Sequence, residues 1–246
     1  MELHEHIEVL RTEGMMLADS AEATGFEAQV PTCPEWTVRD LVRHVGEVHR
    51  WAHSHVVQAR PILNTESFAI WPAEDKSLLG WYREGHAQLL QALEAADPDA
   101  EYFSFLPGPK GTRFWARRQA HETAIHRVDA QSVTDLVNET APDFAADGID
   151  EILNGFFARR PARMTSAEPY SFELVSTDGP QSWRVTVDGD GPAVVDGTDP
   201  ADCRISGSTF DLYLLLWNRR PLEGLDVQGS ARGLDHWREN ARVRWG

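Results

Sequence analysis

The chain is poor in cysteine, poor in positive charge and without any long apolar run, and each shortage closes off a class of protein. Two cysteines, Cys33 and Cys203, in 246 residues cannot build a disulfide framework. No stretch has a basic start followed by an apolar run and a small-residue cleavage site, so the expected location is a reducing cytoplasm. The longest apolar run, Leu212 to Trp217, falls far short of the roughly 18 residues that a spanning helix needs, which argues against a membrane role. Lysine and arginine number 23 against 39 aspartates and glutamates, for a formal net charge of −16. A nucleic-acid partner is disfavoured, because affinity for phosphate backbones comes chiefly from clustered cationic side chains. An anionic small molecule remains compatible with a local group of arginines, for which Arg117, Arg118, Arg127, Arg219 and Arg220 are available.

What is present is ordinary globular material, 41% hydrophobic, enough for one large or two modest cores. There is no internal repeat and no low-complexity segment. Up to about Arg160 the pattern reads as helices separated by proline and glycine. Leu3, Ile7, Leu10, Met15 and Leu17 give a first helix over residues 3 to 23. A second begins at Thr37, whose hydroxyl caps free amides while Asp40 sits at the positive end of the dipole. Val38, Leu41, Val42, Val45, Val48, Ala52 and Val56 then define one apolar face. A third helix spans Ser77 to about Ala96, with His86 in its inward stripe as a buried, hydrogen-bonded histidine. A fourth covers Thr112 to Ser132, and a fifth runs from Pro142 to Arg159 with Phe144, Ile149, Ile152, Leu153 and Phe156 inward.

After a linker near 162 to 169 the period changes to two. Phe172 and Leu174, then Trp183, Val185 and Val187, flank the turn Asp178-Gly179-Pro180, which is hairpin grammar. Short strands near Ala193 to Val195 and Cys203 to Ser206, a helix over Thr209 to Trp217, a strand at Leu225 to Gln228 and a final helix from Ala231 to Ala241 complete an α+β unit. The expected fold class is α+β, with a helical bundle over 1–162 and a small α+β domain over 163–246.

The segment that carries chemistry is His121-Glu122-Thr123-Ala124-Ile125-His126. Glu122 and His126 are four apart, so on a helix they point the same way and can grip one ion; His121 and His126 are five apart and diverge. On the fourth helix Trp115, Gln119, Glu122, His126 and Asp129 form a polar stripe where a bundle helix should face a neighbour. A third ligand must come from another helix. The second is the richest source, with His44, His49, His53 and His55, and periodicity does not choose among them; His49 and His53 form an i, i+4 pair of their own. Cys33, in a proline-rich loop, reads as a small packed residue.

Three segments in order resemble the mycothiol-dependent maleylpyruvate isomerase family, a branch of the DinB-like metal-binding bundles with a sterol-carrier-like C-terminal domain. They are Pro34-Glu35-Trp36-Thr37-Val38-Arg39-Asp40-Leu41-Val42-Arg43-His44-Val45-Gly46-Glu47-Val48-His49-Arg50-Trp51, then Ala120-His121-Glu122-Thr123-Ala124-Ile125-His126-Arg127-Val128-Asp129-Ala130, then Leu214-Leu215-Leu216-Trp217-Asn218-Arg219. The resemblance implies an up-and-down bundle whose metal ligands are His44, Glu122 and His126, and an active-site role for Arg219. Asn218 stands where the family commonly has glycine.

Two nitrogens and one oxygen leave a tetrahedral position open, the pattern of a catalytic rather than a structural zinc site, although such ligands also suit Ni²⁺ or Fe²⁺. A thiol guest there would be held as thiolate, a nucleophile at neutral pH; the resemblance names that thiol as mycothiol. The expectation is therefore a Zn²⁺-dependent, mycothiol-using enzyme that isomerises an electrophilic or anionic small acid from cis to trans, with Arg219 gripping a carboxylate and His49 or Asp129 orienting a ligand. The alternatives are a mycothiol S-transferase acting on another electrophile and a non-catalytic metal-binding or ligand-binding module.

Overall fold

The computed structural model describes residues 1–58, 68–157, 165–195 and 200–240. Contacts divide the chain into two compact units, Met1–Asn138 and Glu139–Gly246. The boundary expected at 162/163 lies outside the described residues. The fifth helix, read from sequence as the end of the bundle, falls in the second unit, where its apolar face packs on the helix of the Leu-Leu-Leu-Trp segment.

The first unit is a four-helix bundle of α1 (Leu3–Thr24), α2 (Val38–Gln58), α3 (Leu78–Ala95) and α4 (Gly111–Gln131). α1 packs against α4 and α3, and α2 against α3 and α4, whereas α1 and α2, although consecutive, touch little. The start of α2 is fixed by its own side chains. Thr37 Oγ1 donates to Asp40 Oδ2 at 2.7 Å, the Asp40 amide donates back to that hydroxyl at 3.3 Å, and the Thr37 amide donates to the carboxylate at 3.0 Å. Leu41, Val42 and Val45 then enter a core with Leu17, Ala18, Ala21, Leu78 and Tyr82.

Met15, expected inward, is 58% exposed; Gly14 takes the inward position. A Cβ on Gly14 would sit 2.3 Å from the His86 ring, so the missing side chain is what admits the imidazole. His86 Nε2 lies 2.9 Å from the Leu10 carbonyl and donates to it, as a buried histidine must to avoid an unpaired polar group.

Between α1 and α2, where a proline-rich loop was expected, the chain forms a small hairpin, β1 (Gln29–Val30) and β2 (Cys33–Thr37), turning over Pro31 and Thr32. Its foot is tied to α2 by Val38 N–H to Ala28 O at 2.9 Å and Arg39 N–H to Phe26 O at 3.1 Å.

The second unit opens with α5 (Pro142–Asp150), which continues as a π-helical segment, Glu151–Phe157. The wider turn shifts the facing of the last residues: Phe157 is buried against Trp237 with ring centroids 4.5 Å apart, and Phe156, expected inward, is only half-buried. Arg159 lies outside the described residues. Strands β3 (Tyr170–Ser176), β4 (Ser182–Asp188), β5 (Gly191–Val194), β6 (Cys203–Gly207) and β7 (Asp226–Gly229) form one sheet in the order β5-β4-β3-β6-β7, with β3 and β6 parallel and the other pairs antiparallel. Phe172, Leu174, Trp183, Val185, Val187, Cys203 and Ile205 are buried, as period two requires. Helices α6 (Thr209–Leu216) and α7 (Arg232–Asn240) complete the unit; the expected end of the final helix at Ala241 lies outside the described residues.

The reciprocal Thr37 and Asp40 bonds give a direct check on how the bundle is built. Thr37→Ala is expected to lower stability by about 1 kcal/mol, read as a fall in the urea midpoint, whereas Thr37→Ser should retain most of it.

Candidate metal centre

The seam between α2 and α4 brings His44, Glu122 and His126 together. One ligand atom from each lies within 4.8 Å of the others. Glu122 Oε1 is 3.4 Å from His44 Nε2 and 3.3 Å from His126 Nε2. Glu122 and His126 share a face because they are one helical turn apart. His44 is supplied by α2, and its side chain is 20% exposed while Glu122 and His126 are buried, so solvent approaches from the His44 side.

Glu122 and His126 are held from behind. Arg118, one turn before Glu122 and buried with it, donates from Nη2 to Glu122 Oε2 at 3.1 Å. Thus Oε2 is committed to the guanidinium and Oε1 faces both imidazoles. His126 Nδ1 lies 2.8 Å from Asp129 Oδ2, which leaves Nε2 directed at the centre. Trp36 of β2 covers the imidazoles, with ring centroids 4.8 Å from His44 and 5.9 Å from His126.

The other sequence candidates fall elsewhere. His49 is buried, but its Nε2 meets Thr123 Oγ1 at 2.9 Å and its ring packs 5.3 Å from His86. His121 diverges from His126 and meets the ring of His6 at 6.2 Å. His55 stacks on Trp115 at 4.7 Å in an aromatic cluster with Trp51, two turns along the same seam. Cys33 packs against the bundle core, as expected, and its Sγ lies 3.6 Å from Asp129 Oδ2. Trp36 and Thr32 are contributors that the sequence reading passed over; Arg118, offered there as a possible anion ligand, instead serves Glu122, a role its i, i+4 spacing signalled.

Arg219 belongs to the second unit. There the end of α6 closes as a paired C-cap: the Arg219 amide donates to Leu214 O at 2.8 Å and the Asn218 amide to Leu215 O at 3.1 Å. Asn218 takes φ 58°, a left-handed conformation that asparagine tolerates better than most side chains. Arg219 Nη1 donates to Trp217 O at 3.0 Å.

The protons follow the geometry. Burial penalises charge on Glu122, yet hydrogen bonds from His126 and His44, with Arg118 nearby, hold its carboxyl well below the usual range. Burial also opposes charge on His126, but Asp129 and Glu122 outweigh it and raise the imidazolium to about 9. On His44 burial wins over the Glu122 hydrogen bond and the ring is pushed toward neutrality.

A bundle with a His, Glu, His constellation on facing helices, followed by a separate α+β unit, defines a two-part helical-bundle protein with a core site suited to a cation. The chain belongs to the mycothiol maleylpyruvate isomerase family: the family model described as "Mycothiol maleylpyruvate isomerase N-terminal domain" matches residues 8–131, and "MDMPI C-terminal domain" matches residues 143–236. Among solved structures, the mycothiol-dependent maleylpyruvate isomerase shares the fold with a TM-score of 0.64 at 14% identity over 93% of both chains. A histidine-to-alanine mutant of that enzyme gives a TM-score of 0.66 at 13% identity, again over 93% of both chains. A comparison with curated proteins gives no match. No helix among the described residues is long and apolar enough to cross a membrane.

The titration of the metal-free protein should be two-sided. Burial pushes His44, His49 and His86 down, so the unfolded chain takes up protons that the folded one refuses, and stability falls as pH drops below about 6.5. The raised His126 has the opposite sign: its contribution is complete below about 6.5 and is lost as pH rises through about 9. Urea midpoints measured in chelator are expected to peak near neutrality and decline on both sides.

Proposed function

We propose that this chain is a metal-dependent, mycothiol-using enzyme in which His44 Nε2, Glu122 Oε1 and His126 Nε2 hold one divalent cation, Zn²⁺ by the chemistry of the donor set. The observation that carries the reading is the convergence of these three atoms, within 4.8 Å of one another, on a site where Arg118 and Asp129 point Glu122 and His126 inward. His44 is neutral and ready to coordinate, and on His126 the proton at Nε2 occupies the place that a cation would take. When bound, the cation lowers the pKa of a thiol at its open position and so supplies a nucleophile at neutral pH for an electrophilic double bond.

Charge favours the same guest. Glu122 and Asp129 bring two negative charges and Arg118 one positive, all buried. A divalent cation would leave the centre one positive in excess, and an anionic sulfur cancels it, which a low-dielectric site rewards. The side chains otherwise bind and exclude water: Trp36 covers the imidazoles, Asp129 keeps Nδ1 of His126 protonated, and Arg118 holds Oε2 of Glu122. Arg219 is proposed to hold a substrate carboxylate through paired hydrogen bonds. The reaction read from family membership is cis to trans isomerisation of an unsaturated acid of the maleylpyruvate type.

Elemental analysis of the purified protein beside Glu122→Ala tests the site: the variant should lose most of its bound metal, and unchanged stoichiometry would overturn the ligand set. Calorimetric titration with mycothiol should give binding that disappears with a chelator, and binding that persists after complete metal removal counts against the thiolate reading. Product analysis then separates an isomerase from an S-transferase, since only the former returns the acid without sulfur.

A further inference from the structure

A carboxylate that orients a histidine does so only if its own plane is fixed. Asp129, fully buried in the last turn of α4, accepts His126 Nδ1–H on Oδ2 at 2.8 Å, with the Cys33 thiol a more distant donor to the same oxygen at 3.6 Å; contacts on that one oxygen leave the carboxylate able to swing about its Cβ–Cγ bond. Its other oxygen is taken by a residue 97 positions away: Thr32 Oγ1 donates to Asp129 Oδ1 at 2.6 Å. The ionised carboxylate can only accept, so the Thr32 hydroxyl proton is committed to it. Ser132 Oγ stands farther off, 3.4 Å from Thr32, and spends its own proton on the Asp129 carbonyl at 2.7 Å.

Thr32 is placed there by the hairpin. It sits in the two-residue turn between Val30, which is buried in the bundle core, and Cys33. The same hairpin puts the Trp36 ring nearly parallel to that of His126, at 26° and 5.9 Å. His126 is therefore held on its face by Trp36 and along its Nδ1 edge through Asp129, both from one small structural element.

Resting on the metal-binding reading above, we propose that Thr32 is a positioning residue: its hydroxyl locks Asp129, and through Asp129 it aims Nε2 of His126 at the cation. The role belongs to the hydroxyl alone, so Thr32→Val, which keeps the shape and removes the donor, should impair it, and Thr32→Ser should restore it.

The test uses the full chain with Co²⁺ alone as probe, followed by its visible absorption, and with NMR of the His126 Nδ1 proton in the metal-free protein. Thr32→Val is expected to weaken Co²⁺ binding roughly 10-fold, the lower end of what groups behind metal ligands typically carry, and to move the Nδ1 proton upfield with faster exchange. Thr32→Ser should recover both. A valine variant with wild-type Co²⁺ affinity and an unmoved proton overturns the proposal, as does a loss that serine fails to restore. If the wild-type chain takes up no Co²⁺, the metal reading falls by itself; the Nδ1 proton of the metal-free variants then decides whether Thr32 orients His126.

Discussion

The structure turns on the buried carboxylate of Glu122. An ionised group there would cost several kcal/mol if left alone, and α4 and α2 are arranged so that it is not. Arg118 takes one oxygen and the two histidines face the other. This one requirement accounts for His126 one turn beyond Glu122 on the polar stripe of α4. It also places His44: α2 must present an imidazole, not an apolar side chain, at the point where the two helices meet over Glu122.

The hairpin between α1 and α2 serves the same end from outside the bundle. Its foot is tied to the α2 cap, one strand covers the imidazoles with Trp36, and its turn reaches Asp129. Elements that look like connections thus act as the outer wall of the site. Asp129 ties the two levels together, since Oδ2 serves the histidine ring and Oδ1 accepts from the turn of the hairpin.

Much of this was written in local pattern. The bundle helices follow from apolar spacing, the start of α2 from Thr37 and Asp40, and the pairing of Glu122 with His126 from four-residue spacing; the strands of the second unit follow from alternation. What escaped the pattern was set by packing. The two strands of the hairpin are two and five residues long with no clean alternation of burial, so nothing in period distinguishes them from a loop. Whether His44 or His49 faces Glu122 depends on which neighbour each flank of α2 meets, a tertiary fact. Met15 lies outward because the inward place in that turn belongs to Gly14, whose missing side chain leaves room for His86, and Phe156 because the widened turn shifts the inward face to Phe157. Thr32 lies 97 residues from its partner and carries no signal of its own.

The place of His86 against Gly14 has a consequence for how such a chain can change over time. A methyl at position 14 would overlap the imidazole outright, and the ring in turn closes the carbonyl at Leu10. Neither position can drift alone: a larger residue at 14 demands a smaller one at 86, which leaves a void where the ring now packs against α1. In related chains the two sites should therefore exchange residues together, as one coupled locus spanning two helices.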